Sequence, residues 1–133
     1  MISEVKHYLD RLFTIKDLGV AKYFLGLEIA RSLQGLVITQ TKYIKDFIAD
    51  TGLLDARPAS TRLPPSLKFT GDTGAALARP DVYRRLVGCL LYLSFTRLDI
   101  SYACQQLSQF LQHPCQQHLD AALHLVRYLK GTA

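Results

Sequence analysis

The sequence predicts an α+β fold that is mostly helical, and three observations carry that prediction. Apolar residues recur at spacings of three and four through most of the second half. One run of aromatic and β-branched residues lies between residues 21 and 39, and a single long stretch, 53–79, is broken by proline and glycine. With 133 residues, 49% of them hydrophobic, the chain is long enough for one modest core and too short for two independent ones. A charged fraction of 20%, with six Phe and seven Tyr, argues against wholesale disorder.

Val5, Tyr8, Leu9 and Leu12 recur at helical spacing after Ser3, a reasonable N-cap, so the chain opens with a short amphipathic helix that ends near Lys16 to Gly19. Ala21 to Ala30 and Leu36 to Thr39, separated by Gly35, read as a β-hairpin. Gly26 then falls inside a strand, where glycine marks either a bulge or a close approach of another backbone. Thr41 reads as the cap of a second helix with Ile44, Phe47 and Ile48 on its buried face and Gly52 closing it.

From Leu53 to Arg79 the pattern dissolves among Pro58, Pro64, Pro65, Gly71 and Gly74. A loop of that length crosses between two parts of the structure and is expected to be partly mobile. Three helices follow, about Pro80 to Thr96, Asp99 to Gln112 and Gln117 to Lys130, the last closed by Gly131. Their apolar positions form stripes at Leu86, Leu90 and Leu93, at Ile100, Ala103, Leu107 and Phe110, and at Leu119, Ala122, Leu123 and Val126. A small antiparallel bundle is the packing these stripes favour.

The net charge of +5 suits a polyanionic partner but is spread along the chain. No window of about 18 uncharged apolar residues exists to span a bilayer, and no apolar leader follows Met1, so an intracellular protein without a membrane partner is expected. Cys89, Cys104 and Cys115 are an odd number without Cys-x-x-Cys spacing, which fits reduced thiols. His113, Cys115 and His118 lack a fourth ligand at convincing spacing for zinc, and no nucleophile elbow is present.

Six strings in order carry a resemblance: Phe13 to Gly19; Tyr23-Phe24-Leu25-Gly26-Leu27-Glu28-Ile29; Tyr83-Arg84-Arg85-Leu86-Val87-Gly88; Thr96-Arg97 with Asp99-Ile100 and Tyr102-Ala103; Leu107 to Phe110; and Leu125 to Thr132. Together they resemble the reverse transcriptase region of copia-type LTR retrotransposon polyproteins, over essentially the whole chain. The chain departs from that family at Leu98, where proline is usual, and at Cys89, where a polar or basic residue is usual.

The resemblance implies that residues 1–52 are the end of the palm, with a primer-grip hairpin. It implies further that 53–79 connect and that 80–133 form a helical thumb-like segment. It also implies a partnership with template-primer, an RNA–DNA hybrid or DNA duplex, and with the remainder of the polymerase. The family uses Mg²⁺ on two adjacent aspartates, yet no Asp-Asp pair occurs here, and Asp10, Asp17 and Glu28 are too scattered to replace one. The chain is therefore expected to hold nucleic acid without catalysing synthesis, to carry no cofactor of its own, and to follow a catalytic part that would precede Met1. A rival reading is a free-standing helical interaction module or a decayed retroelement reading frame.

On a helical wheel Leu90 and Leu93 fall within about 40° of Leu86, while Arg84, Gly88 and Tyr92 gather on the opposite side. In a thumb helix, Gly88 would admit a duplex closely, Tyr92 would stack on a sugar or fill the minor groove, and Arg84 would meet a phosphate. The bland alternative packs a neighbouring helix on Gly88 and buries Tyr92. Leu25 and Gly26, in the primer-grip string, complete the candidate nucleic-acid-binding set. Arg85 and Arg97 are expected to be solvated or ion-paired, and His118 to cap the last helix.

Overall fold

In a computed structural model, residues 1–65, 67 and 74–133 are described, so Gly71 of the connecting stretch lies outside the described residues. Helix α1 spans Ile2–Leu12. It begins ahead of the predicted Ser3 cap, because the Val5 amide already donates to the Met1 carbonyl at 3.2 Å. None of its residues is buried.

Three antiparallel strands follow in the order β1 (Tyr23–Phe24), β2 (Leu27–Ser32) and β3 (Gly35–Thr39). Phe24 pairs with Leu27, which leaves Leu25 and Gly26 as a two-residue turn. Their φ values are 51° and 82°, the positive pair that makes a hairpin turn match the twist of its strands. This corrects the strand reading of Gly26: the residue turns the chain and makes no bulge. The pairing of Ile29 with Ile38 and of Arg31 with Leu36 sets the second hairpin. Alternation then puts Phe24, Leu27, Ile29, Leu36 and Ile38 on one face.

Helix α2 (Thr41–Asp50) buries Ile44, Phe47 and Ile48, the three residues its pattern selects, and Gly52 beyond it adopts φ 71°. Helix α3 (Pro80–Leu93) starts at its proline and buries Tyr83, Leu86, Val87, Leu90 and Leu93. It stops short of the predicted Thr96, where the Ser94 hydroxyl donates back to the Leu91 carbonyl at 2.6 Å and the Thr96 hydroxyl turns to the buried Gln40 side chain, also at 2.6 Å.

The helix predicted from Asp99 to Gln112 is a 3₁₀ turn (Leu98–Ile100) followed by α4 (Ser101–Ser108). The Arg84 guanidinium holds the carbonyls of Leu111 and Gln112, at 2.7 and 3.3 Å, and so fixes the chain beyond α4 in a non-helical path. Helix α5 (Gln116–Thr132) opens with a reciprocal cap between Cys115 and His118 and runs through Gly131 rather than ending at it.

Helices α3, α4 and α5 pack on one another, and α2 packs on α5. The core therefore joins Ile44, Phe47 and Ile48 to Tyr83, Leu90, Leu107, Leu125 and Leu129 from beyond the connecting stretch. That stretch is no free crossing over its described length. The Lys130 ammonium donates to the carbonyls of Leu54 and Ala56, the Ala59 amide to Arg127 at 3.2 Å, and Arg62 lies 5.6 Å over the Tyr128 ring. Pro58 sits where a side chain on Gly131 would meet it at 3.1 Å, so the glycine makes room for the strap.

Candidate nucleic-acid interface

The turn between β1 and β2 rests directly on α3. Tyr92 donates its hydroxyl to the Leu25 carbonyl, and its ring meets Tyr43 of α2 edge-on, 5.1 Å between centroids. A side chain at Gly26 would lie 3.3 Å from the Tyr92 hydroxyl and 3.7 Å from the Tyr43 ring. Glycine at this point thus serves both the positive φ and the close approach of two tyrosines. Burial, and after it a hydrogen bond with Cys89, pushes the Tyr43 hydroxyl up to about 12, so it remains a neutral packing group.

Of the five residues singled out by sequence, Leu25, Gly26 and Tyr92 meet here. Gly88 lies one helical turn away, about 6 Å along the axis, exposed and with nothing within 4 Å of where a Cβ would stand. Arg84 is a further turn along, and exposed, but two of its nitrogens are committed to the carbonyls of Leu111 and Gln112. Tyr92 likewise spends its hydroxyl within the chain and is half-buried. The Leu25 side chain projects into solvent at the tip.

Arg97 is ion-paired, its fork meeting both oxygens of Asp99 at 2.9 and 2.8 Å. The guanidinium, with Tyr128 donating at 2.9 Å, holds the Asp99 carboxyl down at about 2. Sequence reasoning missed Glu28 and Tyr43 as neighbours of the turn. In sequence Glu28 stands out only as a member of the hairpin string and as a scattered carboxylate, and nothing in its spacing points to partners in the next strand and helix.

Among the described residues, no group of three or more His, Cys, Asp and Glu side chains could hold a metal ion. Asp17 is tied to Lys6 at 2.6 Å and to the Gly19 amide at 2.9 Å, and Glu28 to Thr39 and Lys42. Among the described residues, no helix is long and apolar enough to cross a membrane.

A family model described as reverse transcriptase (RNA-dependent DNA polymerase) matches residues 1–65. The chain is 44% identical over 124 residues to the retrovirus-related Pol polyprotein from transposon RE1 of Arabidopsis thaliana, covering 93% of this chain and 8% of that protein. It is 34% identical over 142 residues to the Pol polyprotein from transposon TNT 1-94 of Nicotiana tabacum, covering 99% and 11%. A third relative, the uncharacterized mitochondrial protein AtMg00810 of Arabidopsis thaliana, is 40% identical, with 93% and 51% covered. No solved structure matches. Over nearly its whole length the chain is similar to the reverse transcriptase region of copia-type retrotransposon Pol polyproteins, and it spans about a tenth of the polyproteins it matches and half of the mitochondrial relative.

Proposed function

We propose that this chain holds template-primer for a retrotransposon reverse transcriptase and takes no chemical step itself. The observation that carries the reading is the Tyr92 hydroxyl on the Leu25 carbonyl. It joins the tip of the hairpin to the exposed face of α3, so that Leu25, Gly26, Tyr92 and Gly88 offer one surface. An exposed leucine at a turn and an unobstructed glycine on a helix suit the sugar edge and shallow groove of a duplex, which need close approach more than charge. Long-range attraction would come from the net charge of +5, and Arg84 would reach a phosphate only with the part of its fork that the α4 end leaves over.

The remainder of the polymerase is the second proposed partner, since the apolar sheet residues Leu36, Val37 and Ile38 are exposed and need cover. The chemical step would belong to that remainder, consistent with the dispersed, locally bonded carboxylates of the described residues.

Titration of the purified chain with an RNA–DNA hybrid at several salt concentrations tests the reading. Contacts to roughly two to four phosphates give a log-log slope of about −2 to −4, with little sequence preference. Salt-independent affinity, or strong preference for one base sequence, rejects it. Templated nucleotide incorporation by the same protein, abolished by a substitution within this chain, rejects the division of labour.

A further inference from the structure

We infer that Glu28 is a positioning residue for the nucleic-acid-facing turn, an inference that rests on the holding function proposed above. The N-terminus of α2 carries no cap of its own. Gln40 occupies the cap position without a side-chain bond to the helix, and the first turn has no acidic residue. Its side chain is turned instead towards Thr96, at 2.6 Å. The four leading amides of a helix need acceptors and favour negative charge, and here the first turn even contains Lys42.

Glu28 supplies what is missing from 14 residues away: one carboxylate oxygen accepts the Lys42 amide at 2.8 Å, and the other accepts the Thr39 hydroxyl at 3.2 Å. The same residue pairs with Tyr23 on one side and Thr39 on the other, so it is the middle rung of the sheet. One half-buried side chain therefore fixes all three strands to the end of α2.

The turn itself is held at its far end by Tyr92, which packs against Tyr43 of α2. Two separated ties, Glu28 at the root and Tyr92 at the tip, are needed to set the pitch of a short hairpin on a bundle. With only the tip tie, the hairpin pivots and the Leu25–Gly26 turn leaves its place beside Gly88. Glu28 touches no ligand in this scheme; it acts through the turn.

The test compares wild type, Glu28→Ala and Glu28→Gln in the full chain, with two readouts. Hybrid affinity should fall about tenfold in the alanine variant if the oriented turn drops to about a tenth of the population. Independently of any nucleic acid, the amide NMR signals of Leu25 and Gly26 should shift and broaden, while those of α3 to α5 stay in place. Glu28→Gln should restore both, because its amide oxygen still accepts from Lys42 and its nitrogen can donate to the Thr39 hydroxyl.

Unchanged turn signals in Glu28→Ala overturn the inference, and so does a loss that glutamine fails to rescue, since that would mean the carboxylate charge acts directly. Disturbance spread through α3 to α5 would also overturn it, as a plain stability effect. Should Glu28→Ala not fold, Thr39→Val removes one of the two bonds and is read the same way. Failure of wild type to bind the hybrid defeats the holding function instead, and the turn signals still decide the role of Glu28.

Discussion

A methyl group added at Gly88 meets nothing within 4 Å, although glycine inside a helix is about 1 kcal/mol less favourable than alanine. The residue therefore costs stability without serving the packing of the free chain. Gly88→Ala should raise the melting temperature by roughly 4 °C and at the same time weaken hybrid binding, because the methyl stands where a duplex would approach. A thermal melt and a hybrid titration of this variant check both; higher stability with undiminished affinity would remove Gly88 from the interface. The exposed position was legible in the helical wheel, which needs only the residue's own helix. The engagement of Tyr92 and Arg84 was not, since their acceptors lie 67 and 27 residues away. Leu25 hid the turn for a related reason: leucine rarely takes positive φ, so its neighbourhood read as strand until the tyrosine tie explained how such a conformation is held.

At the scale of the element, the anchoring of α5 depends on protonation. His118 is buried, and its Nδ1 accepts the Cys115 amide at 3.0 Å, so the ring must be neutral there. Burial holds His118 below its ordinary 6.5. Burial, with Arg127 adding repulsion against a partly opposing bond from Thr61, does the same for His124, which fastens the strap to α5. A histidine with its folded pKa lowered takes up protons more readily in the unfolded chain, so its contribution is complete above 6.5 and declines as the pH falls below it. The melting temperature should therefore drop between about pH 7.5 and about pH 5.5, above the range where carboxylates titrate, and drop less in His118→Gln. A flat profile for wild type would show that neither ring anchors α5. The capping histidine was legible through the resemblance, whose last helix opens with a histidine, and its partner Cys115 lies only three residues away. The passage of α5 through Gly131 was not, because the reason for the glycine is Pro58 on the strap, and a helix-ending glycine looks the same in sequence.

At the scale of the whole molecule, burial is divided unevenly. No residue from 1 to 39 is buried, whereas α2 to α5 share one continuous core. The amphipathic stripe of α1 was correctly read from Val5, Leu9 and Leu12, yet all three remain exposed, because a stripe reports the need for a partner and not its presence. Local opening is cheapest where few apolar contacts must be broken, so hydrogen exchange should separate the chain into three grades of protection. Amides of α3 and α5 should exchange only through global unfolding, those of α1 should exchange at close to unprotected rates, and β2 should fall between, being bonded on both sides but little buried. Addition of hybrid should protect the Leu25–Gly26 turn and β2 while leaving α1 unchanged, since α1 lies outside the proposed interface. Protection of α1 equal to that of α5 in the free chain would mean that its apolar stripe is covered in solution, and the division of the molecule into a stable bundle and an uncovered hairpin layer would have to be abandoned.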